Sequence, residues 1–349
     1  MRKLLPMLSL AAATFSFSTF AALGNHPVVL VHGLQPGQLA SQPNADGVRA
    51  DGEAYWEEFW LTRADERIDW PSQERIAGKI SSDYIWPKLK QLSQNNTCAN
   101  GCIFVTHSTG DLVTRYILDN QENWLLNEGL QPLNIISTFD FAGAGGGSEL
   151  ADLAVNVAEG GGVLNATLRL ALSLWMGEIP NSENTGVLND LKVSNARQIA
   201  PFPDARVPRV RFVGDDSEYF GVTSPFLPGH DDGVVSAHSA CGASATGSFS
   251  SCSRSVAFDG KVTNQSNGVS SFMPQHYPML MGDGYGHGEL IGNSHQGKVT
   301  AADSAISLGN GQTVSVNTSD SWSWWNWATF RYVDGSQNAT MSELVSDLL

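Results

Sequence analysis

Ser108 lies in Val105-Thr106-His107-Ser108-Thr109-Gly110, where an apolar, β-branched run meets a segment of helical spacing. A serine at a sharp strand–turn–helix junction is held in a strained backbone conformation, with its hydroxyl out over the sheet edge. That hydroxyl is a poor nucleophile until a base takes its proton. The base is ordinarily a histidine, oriented by a carboxylate. Downstream, and in workable order, stand Asp232 in His230-Asp231-Asp232-Gly233-Val234-Val235 and His287 in Gly284-Tyr285-Gly286-His287-Gly288-Glu289. Asp232-Gly233 ahead of two valines reads as an acid at a strand-end turn. His287, flanked by glycines, reads as a base on a loop reaching the sheet edge. Asp231 and Asp216 compete for the acid role, and His276, His238 and His295 for the base. His107 sits inside the turn and reads as structural. A tetrahedral intermediate needs N–H donors for its oxyanion. Thr109, just after the nucleophile, supplies one; Leu34 in His32-Gly33-Leu34-Gln35 supplies the other. The bland alternative, Ser108 as an ordinary helix N-cap, is set aside by this ordered company.

The elements that must position these groups can be read coarsely. Pro27 to Val31 is a short apolar run and reads as a buried strand. Residues 35–51, rich in Gly, Pro, Gln and Asp, read as a loop. Ala54 to Leu61 and Ser81 to Ser93 read as helices, the second with Pro87 near its start. Cys102 to Thr106 is a second strand, followed by a helix from Thr109 to about Asn120. Leu133 to Phe141 and Val210 to Val213 are further strands. Gly143 to Gly147 is a glycine-rich loop, with Ser148 capping a helix that starts at Glu149. Strand–helix alternation with continuous apolar strands predicts an α/β fold, its parallel sheet covered on both faces. Val163 to Met176 is apolar almost all round. It reads equally as a buried core helix or as a cap over an apolar site.

The segments at 27–34 (PVVLVHGL), 105–118 (VTHSTGDLVTRYIL), 147–153 (GSELADL), 231–242 (DDGVVSAHSACG) and 284–292 (GYGHGELIG) resemble the α/β-hydrolase lipases. They are most like the secreted bacterial triacylglycerol lipases, and the resemblance runs roughly from Pro27 to Ile291. It implies an α/β-hydrolase fold over residues 22–349, with a helical cap at 146–200 and a lid near 160–180. It also implies Asp232 as the triad acid, a lipid or ester substrate, and lipase or carboxylesterase activity without a cofactor. An acyltransferase or another serine hydrolase on the same scaffold is the alternative, and a non-catalytic binding protein is a third reading. Transient contact with a lipid interface and a dedicated folding helper are compatible with the first. The chain departs from the family pattern in three places. Thr106 stands where Gly or Ala is usual. The interval from Asp232 to His287 is long and contains Cys241 and Cys252. The aspartates of the family's calcium site have no clear counterparts, so no metal is expected.

Composition bounds the rest. The 349 residues suffice for one large α/β domain or two modest ones. Asp+Glu 35 against Lys+Arg 20 leaves a net charge of −15, the wrong sign for a nucleic-acid partner. A hydrophobic content of 42% supports a real core. Residues 1–21 read as a secretory signal. Arg2 and Lys3 lead an apolar run from Leu4 to about Ala13, and Thr19 and Ala21 fit the cleavage positions. The alternative, a membrane anchor, would need an apolar run of about 20 residues. A secreted or periplasmic protein with four cysteines suggests disulfides, and spacing favours the local pairs Cys98/Cys102 and Cys241/Cys252 over free thiols. Trp322, Trp324, Trp325 and Trp327 cluster near the C-terminus. Strand packing, with alternate indoles on opposite faces, is favoured over an exposed patch resting on lipid or polymer.

Overall fold

The computed structural model describes residues 23–349 apart from Val163 and Asn184; the signal segment read at 1–21 lies outside them. Seven strands form the central sheet: β1 (Val28–Val31), β2 (Glu66–Ile68), β3 (Cys102–His107), β4 (Ile135–Phe141), β5 (Arg209–Gly214), β6 (His276–Asp283) and β7 (Lys298–Ala301). Their order is β2-β1-β3-β4-β5-β6-β7. Every pairing is parallel except β6 with β7. Two hairpins stand outside this sheet: β8 (Ala305–Ser307) with β9 (Thr313–Ser315), and β10 (Thr318–Ser323) with β11 (Ala328–Val333).

A strand buried on both faces needs apolar side chains at every position, and β1 shows the consequence. Val29 and Val31 enter one core cluster, while Val28 and Leu30 enter the other. The first cluster takes Leu89, Leu112 and Leu150 from three helices; the second takes Trp60 and, from the C-terminal helix Met341–Ser346, Met341. Helices therefore cover both faces. Each fully buried Val or Leu side chain contributes about 1.5–3 kcal/mol to holding these layers together.

Helix α1 (Pro36–Ser41) and helix α2 (Ala45–Tyr55) occupy most of the stretch expected to be a loop. Pro36 sits in the first turn of α1, where its missing N–H costs nothing. The Asn44 side chain caps α2 by accepting from Gly47 N–H. The single helix expected at Ala54 to Leu61 is broken. Trp56 is extended, and α3 (Glu58–Leu61) starts beyond it. Ile76–Ile85 is kinked, with Ala77 and Gly78 outside helical backbone angles, and its later part runs straight into α4 (Trp86–Gln94), with Pro87 in its first turn. Helix α5 (Gly110–Asn127) outlasts its expected end; α6 (Glu149–Ala158) starts where Ser148 caps it. In α7 (Ala166–Met176), Leu168, Leu172, Trp175 and Met176 are buried, while Leu170 and Leu174 face solvent. It is therefore one-sided rather than buried all round.

Both local cysteine pairs are disulfides, Cys98–Cys102 and Cys241–Cys252. The mostly parallel sheet, the helices on both faces and the sharp turn from β3 into α5 are the α/β-hydrolase architecture.

Candidate active site

The turn between β3 and α5 is sharp because the helix starts almost against the neighbouring strand. A Cβ added to Gly110 would stand 2.2 Å from the carbonyl oxygen of Val31 and 2.6 Å from that of His32. Only glycine fits there. Ser108 carries the turn at φ 56, a conformation that costs a non-glycine residue of order 1–3 kcal/mol. Its backbone is fixed on both sides: Ser108 N–H donates to Phe141, and its carbonyl accepts from Asp111 and Ala144. Among the described residues its side chain makes no such bond, and it faces a cavity of about 80 Å³ together with His287, Leu34 and Thr109.

The loop after β1 is set by His32. Nδ1 donates to the Gly33 carbonyl at 2.8 Å, and Nε2 accepts from Trp70 N–H at 3.0 Å. The Trp70 ring stacks on His32, and its indole N–H donates to the His32 carbonyl. Burial holds the His32 pKa down at about 4, so the ring stays neutral and both bonds persist at ordinary pH. A side chain on Gly33 would collide with Tyr55 and with Ser108 Cβ, at 2.4 and 2.6 Å. Leu34 thus lines the same cavity as Thr109. Among the described residues, no acceptor bonds the backbone N–H of Leu34 or of Thr109. Buried amides are nearly always paired, so two unpaired ones on one cavity are donors in waiting.

Asp232 and His287 are joined twice. His287 Nδ1 donates to Asp232 Oδ2 at 2.9 Å, and His287 N–H donates to the Asp232 carbonyl at 2.9 Å. Asp232 Oδ1 accepts from the amides of Val234 and Val235, at 3.0 and 2.7 Å. The carboxylate is fully buried and every oxygen is used. Burial pulls the His287 pKa down, but the Asp232 charge and hydrogen bond outweigh it, with help from Glu218, and the pKa is raised. Glu218 accepts from Gly288 N–H and Glu289 from Gly286 N–H, both at 2.8 Å, so two carboxylates hold the histidine loop. His107 Nε2 donates to the His287 carbonyl at 2.9 Å, and Tyr55 OH donates to His107 Nδ1. Burial and the neighbouring His287 keep His107 well below the usual histidine range. It is a neutral prop under the loop, as its position within the turn suggested.

The competing candidates lie elsewhere. Asp231 accepts from Ser224 and from Gly233 N–H, and burial lifts its pKa to about 6. Asp216 bonds the next amide, Ser217. His238 faces Glu149 at 2.6 Å, His276 bonds Pro274, and His295 pairs with Glu289 at 3.3 Å. None of these five residues lines the cavity. Among the described residues, no cluster of three or more His, Cys, Asp or Glu side chains is arranged for a metal.

Two features behind and beside the site escaped the sequence reading. Thr106, the unusual residue of the turn motif, sits beside Asp140 across β3 and β4, and Asp140 sits beside Arg211 across β4 and β5. Thr106 donates to Asp140 at 2.7 Å; Arg209 bridges Asp140 and Asp111, and Arg211 also binds Asp111. All four charged residues are fully buried and balance two against two, the condition under which buried ions are tolerated. Burial pushes the Asp111 carboxyl up, but Arg211 and Arg209 hold it far below the usual range. The glycine loop is gripped as well: Arg211, Arg115 and Arg197 donate to the carbonyls of Gly143, Gly145 and Gly146. The signal was present as Arg209 and Arg211 inside an apolar strand, with Asp140 inside another. The second feature is Tyr219, which lines the cavity at φ 58, next to Phe220 at φ 56. No motif marked it.

No family model matches this chain, and no curated protein matches it. Among solved structures, the mature lipase BlEst2 of Bacillus licheniformis is similar, with 15% identity, TM-score 0.43, and coverage of 76% of this chain and 86% of that one. The Staphylococcus hyicus lipase shows 14% identity and TM-score 0.42, covering 78% and 90%. Lipase 1 from Pelosinus fermentans shows 15% and 0.42, covering 76% and 93%.

Proposed function

We propose that this chain is a serine ester hydrolase, a lipase or carboxylesterase, working through an acyl-enzyme. The observation that carries the reading is the conjunction at one small cavity. A serine in a strained turn, a histidine held twice to a buried aspartate, and two unpaired amides all border it. His287 Nε2 takes the Ser108 proton as Oγ attacks the ester carbonyl carbon. The carbonyl π electrons move to oxygen, which the N–H groups of Leu34 and Thr109 receive. Collapse expels the alkoxide, and His287 protonates it as the alcohol leaves. Water, deprotonated by the same Nε2, then attacks the acyl-enzyme and returns Ser108 with release of the acid. Asp232 keeps the proton on Nδ1 and stabilises the imidazolium. No cofactor enters these steps.

Cavity size sets the first expectation. About 80 Å³ is roughly half of the ~150 Å³ cavity that accepts a benzene-sized guest. A short acyl group fits as the walls stand. Longer chains require Trp175 of α7, which lines the cavity, to move aside with the 146–200 cap. The two disulfides suit an oxidising compartment, in keeping with secretion. No helix among the described residues is long and apolar enough to cross a membrane.

The test is turnover of p-nitrophenyl esters of graded chain length by wild type and Ser108→Ala. Short soluble esters are cleaved by wild type and not by the variant. Activation on long chains at an oil–water interface marks a lipase, and its absence an esterase. Equal turnover by both proteins, or by neither, overturns the reading.

A further inference from the structure

The tip of the β10–β11 hairpin reads Trp322-Ser323-Trp324-Trp325-Asn326-Trp327. The packing expected for these indoles is not what the structure shows. Trp322 and Trp324 are each 61% exposed, Trp325 75% and Trp327 83%. The two strands form their own two-stranded sheet, and residues 259–262 of the body lie along β11, with Lys261 bridging Phe330. Val262 N–H donates to the Thr329 carbonyl, Arg331 N–H to Gly260, and Tyr332 OH to Asp259. Only Trp322 lies on β10; Trp324, Trp325 and Trp327 fall in the turn before β11, where the strand alternation expected for them does not operate. Aromatic side chains ordinarily bury 150–250 Å² each, and apolar clusters left in water on this scale mark interaction sites.

The chemistry of the tip selects the partner. Residues 321–329 carry no charge, and the nearest ionic groups, Asp320 and Arg331, neutralise each other across the strands at 2.7 Å. The chain as a whole carries −15, which repels anionic surfaces. Trp324 and Trp325 stack on each other with ring centroids 3.6 Å apart, so each has one face occupied. A flat sugar platform needs ring faces side by side and open. Indoles crowded round a narrow turn instead form a wedge. An indole is apolar in its body and donates one N–H, the combination that settles at the headgroup level of a bilayer.

We propose that Trp322–Trp327 is a docking tip for an uncharged lipid–water interface, such as a zwitterionic phospholipid surface. β11 lies against the loop that follows Phe258, whose ring stacks on that of His230 at 5.3 Å, two residues before Asp232. The tip is thereby tied to the segment that carries the candidate acid. The inference goes beyond the ester reading and does not require it.

The experiment uses the full chain, the double variant Trp324→Ser/Trp325→Ser, and the variant with all four tryptophans changed to serine. Each is floated with phosphatidylcholine vesicles, with vesicles containing phosphatidylglycerol, and sedimented with insoluble cellulose. Wild type should bind the zwitterionic vesicles and bind no better when anionic lipid is added. The double variant should bind at least about tenfold more weakly, because two indoles no longer leave water, and the four-serine variant should not bind. Brominated phosphatidylcholine should quench tryptophan fluorescence in wild type and far less in the four-serine variant. Melting temperature and turnover of a soluble short ester should be unchanged by the substitutions. Vesicle binding without any ester turnover would leave the docking tip standing and remove the enzyme reading. No binding to zwitterionic vesicles, undiminished binding by the four-serine variant, or binding confined to anionic vesicles or to cellulose overturns the proposal.

Discussion

Replacing Gly110 by Ala asks whether helix α5 must lie against β1 for the nucleophile to be placed. The added methyl would stand 2.2 Å from the Val31 carbonyl oxygen and 2.6 Å from that of His32, and both are backbone atoms of a fully buried strand end. Ordinary contact requires about 3.4 Å or more, so the helix start must retreat by about 1 Å. Neither partner is a side chain that can swing away, which puts the cost at the upper end of the overpacking range, about 3 kcal/mol. At about 2.1 cal/mol/K of unfolding entropy per residue, that lowers Tm by roughly 4 °C for a chain of this size. The same displacement moves Ser108 and the Thr109 amide relative to His287, and a misplacement near 1 Å costs about 100-fold in rate. Because α7 and the other walls are untouched, kcat should carry the loss and KM should change little. Calorimetry and steady-state hydrolysis of a soluble p-nitrophenyl ester read both quantities. Gly37→Ala is the control: its added methyl meets nothing within 4 Å. A Gly110→Ala protein with wild-type Tm and kcat would refute the reasoning.

The raised His287 pKa fixes the sign of the pH dependence. The base works only when neutral, so kcat/KM should rise with pH through an apparent pKa above the ordinary histidine value of about 6.5. Asp232→Asn should cost about 10⁴-fold in kcat, since its oxygen must still accept from Val234 and Val235 and its NH₂ then faces Nδ1. The same change should shift the acid limb downward, whereas Asp231→Asn should leave turnover nearly intact; the reverse pattern would make Asp231 the acid. Removing the Cys241–Cys252 bridge by Ser substitution, which opens a loop of sequence separation 11, should cost about 3 kcal/mol by denaturant titration. An unchanged midpoint would show that the bridge restrains nothing in the unfolded chain.

The elements nearest the chemistry were the most legible in sequence. The strands β1 and β3 are unbroken apolar runs, and a serine followed by Gly110 two residues on fits only a tight turn into a helix. Asp232 and His287 stood out as candidates through their flanking glycines; the strand expected after Asp232-Gly233 is instead a loop, and only His287 follows a strand end, that of β6. The region 35–51 was misread because its Gly, Pro and Gln content resembles a loop, while Pro36 and Asn44 in fact start helices. Composition cannot distinguish a helix-starting proline from a turn proline without its neighbours. The ionic row behind the turn was invisible for another reason. Asp140, Arg209 and Arg211 come together through strand register and meet Asp111 where α5 crosses the sheet, and no local pattern encodes either placement. That register also explains Thr106: its hydroxyl serves Asp140, which a glycine could not. The tryptophan cluster was misread because the strand was taken to continue through it, whereas β10 ends at Ser323 and Trp324, Trp325 and Trp327 form the turn.

Ser108 as the nucleophile of an acyl-transfer site is tested most directly by covalent capture. An alkyl fluorophosphonate should modify the wild-type chain once, and peptide mass spectrometry should find the phosphonyl group on Ser108. Capture should be abolished in Ser108→Ala and slowed at least about 100-fold in His287→Ala, where the base is gone. A label on any other residue, or ester turnover that survives in Ser108→Ala, would contradict it.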